Sequence, residues 1–240
     1  MKRNVLALMA VAAVAVLGGA AWFFTQGDAE PTTEATAPPI EATETTVTSG
    51  AADTAVAADP TDAAPTTFEL TGESTATFRI DEELRGSPTT VVGTSNIVLG
   101  QIQIDRADLS NSRIGEILIN ARAFETDASL RNRAIRGPIL DTEAFEFISF
   151  NPTSIEGLEG SAGVGDELSF TVSGDLTIRD VTQPVTFDVT ATLTSDTSIS
   201  GSASTVVERG PFELVIPSVP TVANVSEEVP LELDFVAEST

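Results

Sequence analysis

Arg131, Arg133 and Arg136 form the densest basic group in a chain with 36 acidic and 12 basic side chains. Arg133 and Arg136 stand at i and i+3, so a helix would place them on one face. Guanidinium donors suit oxyanions, and such a face could meet a phosphate or carbonyl head group at a barrel mouth. The competing reading is surface pairing with Asp127, Asp141, Glu143 or Glu146, where each pair contributes little. Composition removes most other chemistries. The chain has no His, Cys or Tyr, which excludes a Ser-His-Asp triad, a thiol nucleophile, an imidazole or thiolate metal site and a disulfide framework. The glycines at 157, 160, 163 and 165 precede Asp166-Glu167 rather than a helix, so they do not make a phosphate loop. No calcium-loop pattern occurs, and no pair of carboxylates is singled out by spacing. Asn224-Val225-Ser226 is a glycosylation sequon only in a host that uses it. A formal charge of −24 opposes tracking of a nucleic-acid backbone. These residues point to a binding or structural protein, not an enzyme, with no cofactor and no metal.

Any such site must be held by the elements around it, and these begin with a membrane signal. Lys2 and Arg3 precede an uncharged apolar run over residues 5–24, and Asp28 and Glu30 follow it. As a helix, the run would cover about 30 Å, the thickness of a bilayer core. The charge asymmetry predicts a single transmembrane helix at 1–24, N-terminus cytoplasmic, with the remainder extracytoplasmic in the cell membrane. A cleaved signal peptide, with Gly18-Gly19-Ala20-Ala21 as its cleavage region, is the alternative and would release a secreted or periplasmic protein. Residues 25–67 carry Thr, Ala, Pro and carboxylates, no Lys or Arg, and few large apolar side chains. This composition predicts a disordered, acidic linker.

From 68 to 240 the pattern is β. Thr75-Ala76-Thr77-Phe78-Arg79-Ile80, Gln101-Ile102-Gln103-Ile104 and the stretch 185–193 alternate strictly. Further strands are expected at 116–122, 168–172, 175–179, 199–207, 212–216 and 231–236, where Leu231, Leu233 and Phe235 share a face. Ser173-Gly174 marks either a hairpin or a bend within one strand. Asn151-Pro152 is expected to begin a turn. Thr126 or Asp127 would cap a helix through 128–136 that Gly137-Pro138 ends. The fold class is all-β: an antiparallel barrel or sandwich with a short helical insertion.

Three motifs carry a resemblance. Leu130-Arg131-Asn132-Arg133 is followed by Ala144-Phe145-Glu146-Phe147-Ile148-Ser149-Phe150-Asn151-Pro152. Gly174-Asp175-Leu176-Thr177-Ile178-Arg179-Asp180-Val181-Thr182-Gln183-Pro184-Val185 forms a second block, and Arg209-Gly210-Pro211-Phe212 a third. In this order they resemble the YceI family of bacterial lipid-binding barrels over about residues 70–238. The resemblance implies a lipocalin-like, eight-stranded barrel whose lumen holds a polyisoprenoid or similar amphiphile. The chain departs from the family's frequent His-Ser at Glu73-Ser74 and from its Arg-Asp at Arg131-Asn132.

The inward set expected from alternation is Phe78, Ile102, Ile104, Ile117, Ile119, Phe170, Leu176, Ile178, Phe187 and Val189. These side chains either line a lipid tunnel or form a packed core, since an eight-stranded barrel is just wide enough for both. Small inward residues (Ala76, Ala121, Ala191, Ala203) leave room. The partner expected is an isoprenoid or other amphiphilic lipid, sequestered or carried on a membrane tether. The alternative is a cell-surface interaction module with a solid core on an acidic stalk.

Overall fold

A computed structural model of the protein describes residues 30–33, 35–40 and 65–240. The expected anchor at 1–24 and most of the expected linker lie outside these residues. Among the described residues no helix is long and apolar enough to cross a membrane.

Period-2 alternation gives each strand one dry face, and burying those faces together curls the sheet. Its segments are β1 (Thr66–Leu70), β2 (Thr75–Leu84), β3 (Ser87–Ser95), β4 (Val98–Leu99), β5 (Gln101–Ile104), β6 (Arg113–Ile114) and β7 (Ile117–Asn120). They continue as β8 (Phe147–Glu156), β9 (Glu167–Ile178), β10 (Val181–Ser195), β11 (Ser198–Glu208), β12 (Val222–Ala223) and β13 (Glu228–Ser239). Every pairing is antiparallel. From β7 the ladder runs through β8, β9, β10 and β11 to β13. β13 then pairs with both β1 and β2. β2 takes β3, β1 takes β5, and β4 returns to β7. The result, among the described residues, is an all-β antiparallel sheet curled into a half-barrel with one short helix, consistent with a lipocalin-like fold.

The breaks between short segments have local causes. Between β1 and β2 the chain kinks at residues 71–74, where Ser74 is fully buried. Its hydroxyl donates to the Val236 carbonyl and accepts from the Val236 N–H, both at 3.2 Å, so the ladder bonds lost at the kink are replaced. Connections 85–86, 121–146, 179–180 and 209–227 gather at one end of the sheet, hereafter the cap end. Connections 105–112, 157–166 and 196–197 gather at the other. Phe124, Ile135, Leu140 and Phe212 belong to the same buried cluster as the inward strand residues, and they close the cap end.

Several expectations need correction. Ser173-Gly174 lies inside a continuous β9, so the bend alternative holds and the hairpin does not. Asn151-Pro152 is not a turn: both sit in β8, and the ladder absorbs the missing proline N–H through a register shift between Pro152 and Ser154. Residues 212–216 form no strand. Pro211 starts a short 3-10 turn at Gly210–Phe212, and Glu213 adopts a left-handed φ of 55°. The helix is shorter than expected, α1 (Ser129–Ala134), and Ala128 at its N-cap makes no side-chain bond. Instead Asn132 Oδ1 accepts from the Thr126 N–H and hydroxyl, at 2.8 and 2.7 Å. Nor does Gly137-Pro138 end it. A wider π turn, Ile135–Ile139, carries the chain past Pro138, with Leu140 N–H bonded to the Ile135 carbonyl at 2.9 Å.

Candidate functional site: an apolar lumen

The inward faces enclose a cavity of about 160 Å³ whose wall is almost wholly apolar. All ten side chains expected to face inward line it: Phe78, Ile102, Ile104, Ile117, Ile119, Phe170, Leu176, Ile178, Phe187 and Val189. Ala76, Ala191 and Ala203 line it too, whereas Ala121 is buried beside it. Its volume is near the ~150 Å³ of an engineered apolar cavity that stays dry and takes one benzene. Phe78, Phe170, Phe187, Leu231 and Leu233 face it while only partly buried. They pack against the buried cluster on one side and border the cavity on the other.

Glycines explain why so many phenylalanines leave a cavity. Gly93 stands opposite Phe78 in the β2–β3 ladder, and a Cβ on Gly93 would lie 2.2 Å from the Phe78 ring. Phe150 lies over Gly174 and Phe235 over Gly201, where an added Cβ would also meet the Asn151 and Thr190 carbonyl oxygens. Each ring lies flat against the wall in a space that only a residue without Cβ provides. Two edge-to-face contacts fix the rings further: Phe150 with Phe187 at 4.9 Å and Phe78 with Phe124 at 5.3 Å.

Sequence reasoning missed part of the lining. Ile148, Phe150 and Ile155 lie in β8, where the turn expected at Asn151-Pro152 hides the strand period. Phe124 follows a short 3-10 turn, Ala121–Ala123, where no strand period applies. The glycine-under-phenylalanine pairs are a signal in the sequence only once strand register is known.

The three arginines do not line the lumen. Arg131 pairs with Asp127 and with Glu82, the latter at 3.1 Å. Arg136 donates to the Phe124 carbonyl at 3.3 Å and lies 3.7 Å from Glu125. Arg133 is exposed. Of the expected partners, Asp127 is used by Arg131, while Glu146 belongs to Arg122 at 2.6 Å.

Residues 30–33 and 35–40 lie along the outside of the sheet near β7. Thr32 N–H donates to Glu146 Oε1 at 2.7 Å, Asn120 Nδ2 donates to the Thr32 carbonyl at 3.3 Å, and Ile40 N–H donates to Gln101 Oε1 at 3.3 Å. Ala37 is 3 % exposed, and Ile40 packs over Gly115. Burial of Glu146 raises its pKa, but hydrogen bonds from Thr32 and Asn120 and the Arg122 charge outweigh this and hold it below the ordinary carboxylate range.

Comparison with known proteins gives the same fold. A polyisoprenoid-binding domain from Saccharophagus degradans, implicated in plant cell wall breakdown, superposes with a TM-score of 0.58 at 13 % identity, covering 73 % of this chain and 99 % of that one. Burkholderia cenocepacia BcnA gives 0.52 at 17 % identity, covering 68 % and 96 %. At these identities the likeness is one of fold. No curated protein matches by sequence. The family model for the YceI-like domain matches residues 67–237. Lumen, curled sheet and motif order thus agree with the sequence match, and the chain belongs to the YceI-like family.

Proposed function

We propose that the chain is a membrane-tethered, extracytoplasmic binding protein that sequesters or carries the tail of an isoprenoid amphiphile, such as a quinone or polyprenyl lipid. The observation that carries this reading is the cavity of about 160 Å³ with its apolar wall. A solid interior, which an interaction module would have, leaves no such space. The polyisoprenoid-binding description of the Saccharophagus domain supports the choice of ligand class. The apolar run at 5–24 and its flanking charges support the tether and its direction.

Magnitudes decide how the ligand is held. Burying a CH₂ contributes about 0.8 kcal/mol, so one isoprene unit gains roughly 3–4 kcal/mol before the costs of association. The cavity volume fits about one such unit, which alone gives millimolar binding at best. A longer tail therefore needs a wider lumen. Rotation of the partly buried Phe170, Leu231 and Leu233, which border the cavity, would supply that width. The test is uptake of farnesol by ligand-stripped full-length protein, followed by equilibrium dialysis. Saturable uptake at one site per chain supports the carrier; no uptake at any accessible concentration contradicts it.

A further inference from the structure

The segment 30–40 bears on where the barrel sits. A free 43-residue linker over 25–67 would have a root-mean-square span of about 35–40 Å and a far longer maximum reach. The described part of that segment is instead bonded to the barrel through Thr32, Ala37 and Ile40. Only five residues lie between Phe24 and Glu30, and fully extended the span from one to the other is about 20 Å. The chain also leaves the barrel at a particular place. Glu30 and Pro31 share a polar cleft with Arg122 and Arg136 at the cap end.

The same end carries exposed apolar side chains. Leu130 on α1 is 69 % exposed, and Val215 and Val219 in the 209–227 connection are 72 % and 43 % exposed. Val164, 53 % exposed, marks the opposite end. Arg131, Arg136 and Arg209 at this end are already paired with acidic side chains.

We propose that residues 30–40 are a strap that shortens the tether and holds the cap end of the barrel, with Leu130, Val215 and Val219, against the surface of the bilayer. The proposal rests on the membrane-tethered reading above. It sets the helical insertion that closes the lumen beside the lipid from which a ligand would be drawn.

The chain has no cysteine, so single labels can be introduced as Leu130→Cys, Val215→Cys and Val164→Cys in full-length protein. Each variant carries an environment-sensitive fluorophore and is reconstituted in phosphatidylcholine vesicles containing a spin-labelled lipid quencher. Flotation of the same samples reads the tether. Quenching at 130 and 215 should exceed that at 164 several-fold and change little with salt. Ala37→Glu, which puts a charge into a buried site of the strap, should level the three positions. Thr32→Pro, which deletes the N–H donated to Glu146, should do so by a separate route. Protein that floats with equal, weak quenching at all three positions overturns the strap and leaves the tether standing. Protein that does not float overturns both. A difference that survives both strap variants shows that something else orients the barrel and overturns the proposal. Farnesol uptake is measured separately, so none of these outcomes decides the lumen.

Discussion

Filling the lumen from its own wall gives opposite results for an open and a packed interior. Ala203 lies in β11, opposite Val189 of β10 and Leu233 of β13, and its Cβ faces the cavity. Ala203→Phe would place one phenyl ring there, and a cavity near 150 Å³ accepts one benzene. Empty apolar volume costs about 24 cal/mol per Å³, so filling all 160 Å³ would return at most about 4 kcal/mol. Imperfect fit and strain take back roughly 1–3 kcal/mol. The expected net is a stabilisation of about 1–3 kcal/mol in ligand-stripped protein, raising Tm by roughly 2–10 °C for a domain of this size. Thermal unfolding of parent and variant, each alone and with farnesol, is the assay. The parent should gain stability with farnesol through binding to the native state, and the variant should gain none. A variant that loses several degrees when stripped, beside a parent unaffected by farnesol, would refute the open-lumen reasoning.

Three further outcomes follow from other parts of the wall. Gly93→Ala should push the Phe78 ring off the wall into the lumen, because the ring is the nearest group to the new Cβ; farnesol affinity should fall several-fold in a dialysis assay while the fold persists by circular dichroism. Ser74→Ala leaves the Val236 N–H buried without its acceptor, and urea unfolding should show a loss of about 1–3 kcal/mol; a loss near zero would mean that water replaces the hydroxyl. Glu146 has its pKa lowered in the folded state, so its contribution to strap docking is present above the ordinary value of 4.5 and is lost as pH falls through the depressed folded value. Exchange protection of the Thr32 amide, followed by mass spectrometry, should stay constant from neutrality to about that ordinary value, and loss of protection above it would contradict the assignment.

The lumen was legible because alternation is a direct consequence of strand geometry. Phe187 and Val189 stand two apart in a clean period-2 run, and no tertiary information was needed to put both on one face. Ile155 was not placed, since Pro152 reads locally as a strand breaker and only the register shift opposite β9 shows how the ladder accommodates it. Periodicity also could not separate an open lumen from a packed one. That distinction depends on Gly93, Gly174 and Gly201 lying beneath phenylalanine rings of other strands, a relation set by register between distant segments. The arginines illustrate the converse. Their types and spacing suggested either a head-group face or surface pairing with nearby carboxylates, and Glu82, which pairs with Arg131, could not be foreseen because it lies on β2, 49 residues away in sequence. The docking of residues 30–40 was invisible for a related reason. Composition argued for disorder, and the acceptors that hold the segment, Glu146 and Gln101, are supplied by a sheet that forms from later sequence.

The central claim is that the barrel holds an isoprenoid tail in its lumen. Its most direct test is native mass spectrometry of full-length protein purified from membranes in mild detergent, with organic extraction and identification of whatever is released. The expected result is one isoprenoid lipid per chain, present in the parent and absent from Ala203→Phe prepared in parallel. Parent protein that carries no lipid and acquires none from isoprenoid-containing vesicles, or equal lipid in parent and variant, would contradict it.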